Sequence, residues 1–84
     1  MLFKVIQKRL SIKYETLKEK NQIYDVKEID TESIVHLNKN EDFVLILESF
    51  RLTNSVIRVI MLTSKGVVYD DFNDYNFKYY FEKI

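Results

Sequence analysis

The chain has 84 residues, and 13 Lys and Arg balance 13 Asp and Glu, so it is one small domain with no formal net charge. One Gly and no Cys, Pro, Trp or Ala exclude a disulfide scaffold, a thiolate zinc site, a cysteine nucleophile and any glycine-rich phosphate loop. Zero net charge argues against a dedicated nucleic-acid binder, and an apolar content of 46% argues against a disordered chain.

Ile, Lys, Asn, Tyr and Phe supply 37 of the 84 residues. That skew follows AT-rich codons and suggests an AT-rich bacterium, phage or mobile element as the source. Lys4, Lys8 and Arg9 interrupt the first residues where a signal peptide needs an apolar stretch. The longest apolar run, Phe43 to Leu47, is far shorter than the roughly 20 residues that span a bilayer. The expectation is a cytoplasmic protein without membrane contact.

In chain order, residues 5 to 15 alternate as a half-buried strand, with Ile6, Leu10, Ile12 and Tyr14 inward and Gln7, Arg9, Ser11 and Lys13 outward. A polar loop over 16–22 leads to a partner strand at 23–29. Residues 30–38 read as a short helix with Asp30 as N-cap and Asn38 or Asn40 at its C-terminal end, and a strand over 33–37 is the rival. The run Phe43 to Phe50 suits a central strand that is apolar on both faces. Arg51 to Asn54 makes a hairpin connection to a second β-branched run, Val56 to Leu62. Thr63-Ser64-Lys65-Gly66 then turns into a third strand from Val67, which completes an antiparallel meander over 43–71. The tail is divided between strand, with Tyr75, Phe77, Tyr79 and Phe81 alternating, and helix, with Phe77, Tyr80, Phe81 and Ile84 on one face and Asp74 as cap. Helix is the favoured reading. The sum is a small α+β domain spanning 1–84, ββαβββα, with an antiparallel sheet of about five strands.

Few groupings here carry catalytic chemistry. His36 is the single residue that titrates near neutrality by default. With Ser33 three residues away, it reads as a surface histidine rather than a base. Asp70, Asp71 and Asp74, with Asn73 and Asn76, offer oxygen ligands, but Phe72 interrupts them and no glycine supplies the sharp turn of a calcium loop. They read as a solvated turn. No enzyme activity, metal or cofactor is expected.

Two surfaces remain. The residues before Ile29 carry a net +3, and Arg9 and Lys13 share the outer face of the first strand as a basic strip; with Lys4 and Lys8 they are the candidate nucleic-acid contacts, and Tyr14 or Tyr24 could supply a stacking platform. The C-terminal stretch is denser: Tyr69, Phe72, Tyr75, Phe77, Tyr79, Tyr80 and Phe81 fall within 13 residues. A core this small cannot bury them all, so tyrosines should reach the surface, where rigid aromatic anchors dominate binding energy. The leading expectation is a non-enzymatic protein-binding module, a small regulator or inhibitor that occludes a basic or functional patch of a larger protein. Tyr69, Asp70, Asp71, Asp74, Tyr75, Tyr79 and Tyr80 would be its contact residues. A small nucleic-acid-binding protein is the alternative, and a homodimer is compatible with either.

Overall fold

The β-branched runs and the turn residues between them build most of this protein. The computed structural model describes residues 1–15, 31–73 and 75–84. Among them, seven strands make one sheet: β1 (Leu2–Val5), β2 (Arg9–Lys13), β3 (Ile34–Leu37), β4 (Phe43–Arg51), β5 (Val56–Thr63), β6 (Gly66–Asn73) and β7 (Phe81–Lys83). A 3-10 turn at Thr31–Ser33 and one short helix, α1 (Phe77–Tyr80), complete the described elements. The spatial order is β3-β2-β6-β5-β4-β1-β7, and each neighbouring pair is antiparallel. The domain is mostly sheet, so α+β fits it only loosely, and seven strands replace the expected five.

The meander β4-β5-β6 forms where the β-branched runs lie. Leu52 N–H closes the first hairpin onto the Val56 carbonyl at 2.8 Å, and Thr53 Oγ1 accepts from the amides of Ser55 and Val56. In the second hairpin Gly66 takes φ +109°, and Thr63 Oγ1 accepts from Lys65 N–H while donating to the Gly66 carbonyl. A Cβ added at Gly66 meets open space, so only the backbone conformation opposes a side chain there. Gly66→Ala is expected to cost about 1–2 kcal/mol, the usual penalty for an L-residue at positive φ, read as a lowered urea midpoint with unchanged slope.

Four expectations need correction. The strand over 5–15 is two strands that lie apart in the sheet, β1 between β4 and β7 and β2 between β3 and β6. The facing of β2 is also inverted, because Ser11 is fully buried while Leu10 is 49% exposed. Packing between β3 and β6 selects the small hydroxyl, which donates to Asp70 Oδ2 at 3.1 Å. The helix over 30–38 is the 3-10 turn followed by β3, since Val35 and Leu37 alternate into the core with period two. Asn40 caps no helix; it takes φ +62° in the turn between β3 and β4, a conformation asparagine tolerates. In β4 the apolar run is not buried on both faces: a bulge falls between Ile46 and Glu48, β1 pairs only to Leu45, and Leu47 and Phe50 are exposed. The expected strand at 23–29 and the loop before it lie outside the described residues.

Strand register sorts side chains between two faces, because directly opposed residues share a face. Val5, Val35, Leu37, Val44, Val59, Met61, Val68, Phe72 and Phe81 form a single buried cluster on the inner face. Leu37 and Phe81 come from the opposite ends of the strand order, so the sheet curls around this cluster. Val5 holds the curl: its N–H donates to the Asp42 carbonyl at 2.9 Å and its carbonyl accepts from Asn40 N–H at 2.8 Å. The Lys65 ammonium reaches across to the His36 carbonyl and the Asp42 carboxylate. No helix among the described residues is long and apolar enough to cross a membrane.

Candidate functional site

The C-terminal segment is shaped by two asparagines. Asn73 Oδ1 accepts from the amides of Tyr75 and Asn76, and Asn76 Oδ1 accepts from Asn73 N–H at 3.1 Å, which stops β6 and starts α1. Asn76 is therefore the N-cap residue of α1, in place of Asp74, which lies outside the described residues. One turn later Phe81 becomes extended, at φ −133° and ψ 135°, while its N–H closes onto the Phe77 carbonyl. The tail satisfies both of its sequence periodicities in succession, a helical turn and then a strand.

Phe77 anchors the turn. Its ring packs edge-on against Phe3 and Phe72, each with centroids 5.2 Å away, and tilts against Phe81 at 4.9 Å. This leaves Tyr75 86% exposed and Tyr79 59% exposed, with Tyr79 packed edge-on against the half-buried Tyr80. Beside them on the inner face lies an open apolar groove of about 460 Å³, walled by Phe3, Ile46, Ile57, Val59, Phe72 and Phe77, with Lys78 at its edge. A second depression shares Phe3, Phe77 and Lys78 and continues along Ile6 and Phe81. The arrangement offers apolar and aromatic surface beside the exposed tyrosines of one turn.

The other expected contact residues are placed differently. Tyr69 is fully buried, with the Arg58 guanidinium 4.9 Å from its ring centroid, so it belongs to the interior. Asp70 and Asp71 are adjacent on β6 and point to opposite faces, where each is held by an arginine. Arg9 reaches Asp70 at 2.6 and 3.0 Å and the Asp71 carbonyl at 3.1 Å, and Arg58 grips both Asp71 oxygens at 2.8 and 2.9 Å. These aspartates are therefore neither a solvated turn nor a free acidic surface. Among the described residues no three His, Asp or Glu side chains converge on one point.

The basic strip is broken for the same reason. The Arg9 guanidinium lies between the rings of Phe72 and Tyr80, 4.6 and 4.4 Å from their centroids, and is committed to Asp70. Lys8 and Lys13 stay exposed, while Lys4 is half-buried and opposite Glu82 across the β1–β7 ladder. Nothing in the sequence pattern pairs Arg9 with Asp70, because they are 61 positions apart.

Burial pushes the Asp70 carboxyl above its ordinary value, against the opposing pull of Arg9, the Asp71 amide and the Ser11 hydroxyl. Burial also lowers Arg9, but the hydrogen bond and charge of Asp70 outweigh it and hold the guanidinium above its usual value. A carboxyl that binds its proton more tightly when folded contributes stability that is fully present below its ordinary value of 3.8 and is lost as pH rises through its raised one. Across that interval wild type should lose more stability with rising pH than Asp70→Asn, measured by urea unfolding at stepped pH. An Asp70 carboxyl-carbon NMR titration with its midpoint at or below 3.8 contradicts this.

No protein-family model, no curated protein and no solved structure matches this chain.

Proposed function

We propose that this protein is a non-enzymatic binding module, a small regulator or inhibitor of the kind found in phages and mobile elements, which docks on a larger protein and occludes a functional surface of it. The observation that carries the reading is the exposure of Tyr75 and Tyr79 on a turn held by Phe81, which is in the core cluster, and by Phe77, which packs against that cluster and walls an apolar groove. A tyrosine held by a rigid base loses little conformational freedom on binding, and interface energy concentrates in a few aromatic anchors. Steering by Asp70 and Asp71 is not part of the mechanism, because their charges are neutralised within the fold. The partner surface is one that accepts aromatic side chains and covers the groove, rather than one selected by positive charge.

Removing Tyr79 by mutation to Ala should weaken partner binding by about 2 kcal/mol or more, and Tyr75→Ala by a comparable or smaller amount. Both variants should keep the wild-type melting temperature within a few degrees, because an exposed side chain adds little to the core. Calorimetric titration of each folded variant against the partner checks this. Wild-type affinity in both variants would place the contact elsewhere.

A further inference from the structure

The outer face of the sheet is unlike that of a monomer with one wet side. Leu2, Leu45, Leu62 and Val67 are directly opposed in series across β1, β4, β5 and β6, forming an apolar row four strands wide. Phe43 lies two residues before Leu45 on the same face, and Phe50 stands opposite Arg58 further along β4. Leu2, Phe43, Phe50 and Leu62 are each 41–45% exposed. Elsewhere on this face Ile60 and Tyr69 are buried. Exposure on this face thus falls in two places, the row on β1, β4 and β5 and the single Leu10 on β2, which is 49% exposed.

We propose that this apolar row is the interface of a symmetric homodimer, in which the outer faces of two sheets pack against one another. The first reason is area. Four half-exposed Leu and Phe side chains present on the order of 350 Å² per copy, or about 700 Å² for a pair. The flanking surface of Leu45, Val67, Lys4 and Glu48 brings the total toward the roughly 1,200 Å² at which stable interfaces begin. The second is charge. The charges around the row are paired, Lys4 standing opposite Glu82 and the buried Arg58 holding Asp71, so a facing copy meets no field of like charge. A chain of zero net charge also lacks the self-repulsion that keeps proteins apart. An apolar row flanked by charges of both signs can pair with a copy of itself across a two-fold axis. The groove beside Tyr79 lies on the inner face and stays open in the dimer, so each assembly carries two copies of it.

Sedimentation velocity from about 1 to about 200 μM tests the proposal. Wild type should move from the mass of one chain to that of two within this range. Leu62→Lys and Phe43→Glu should each raise the dissociation constant at least about tenfold, while Tyr79→Ala leaves it unchanged. Methyl NMR on wild type keeps the test valid should either variant fail to fold: shifts that depend on concentration should fall on Leu2, Leu45 and Leu62. A single-chain mass at every concentration overturns the proposal. So does a dimer that survives both substitutions, or shifts confined to the groove residues Ile46 and Ile57.

Discussion

The Phe72→Ala variant is expected to lose about 4 kcal/mol of folding stability, a large part of what a domain of this size possesses. Phe72 is 2% exposed and meets Phe77, Phe81 and Tyr80 at centroid distances of 5.2, 5.6 and 6.3 Å. Phe72 thereby ties β6 to α1 and β7. Truncation leaves a cavity at the base of α1 and also removes the face on which the Arg9 guanidinium rests. Phe72→Leu retains most of the volume and should cost less than about 2 kcal/mol. Urea unfolding of the two variants, with matched slopes, gives the comparison. Equal and small losses would mean that the aromatic cluster is not the core.

Asp70→Ala is expected to cost about 3 kcal/mol or more, since it leaves a largely buried guanidinium without its carboxylate. The side chains of Arg9 and Asp70 are 19% and 12% accessible, so little water reaches Arg9 once the carboxylate is gone. Replacing both partners with apolar residues, Arg9→Met with Asp70→Val, should cost less than Asp70→Ala alone, because neither charge is then stranded. The diagnostic quantity is the coupling energy from the full double-mutant cycle. Additive single losses would show that the ion pair is incidental to the fold.

How much of this was legible in the sequence depends on the range of the interaction. The meander β4-β5-β6 was legible because β-branched runs, a four-residue connection and the lone glycine are local signals. The tail was half legible: its helical and strand periodicities are both real, and the Asn73–Asn76 turn decides where one gives way to the other. Residues 30–38 were misread because Asp30, Glu32 and Asn38 imitate helix caps, while pairing of Ile34–Leu37 with β2 is a tertiary preference. The facing of β2 was inverted because its alternation is set by Asp70, 59 positions from Ser11, and not by its own hydrophobicity. At the site, exposure of Tyr75 and Tyr79 followed from counting more aromatics than a small core can hold. The same count could not show that Tyr69 is the one fully buried, or that Asp70 and Asp71 are consumed by arginines.

The central claim is that the surface around Tyr75 and Tyr79 holds a partner protein. The most direct measurement is quantitative affinity capture from a lysate of the source cells, with nuclease present, comparing wild type with the folded Tyr75→Ala/Tyr79→Ala double variant. A protein retained by wild type and lost from the variant is the expected result. Equal capture by both, or capture that nuclease abolishes, would contradict the claim.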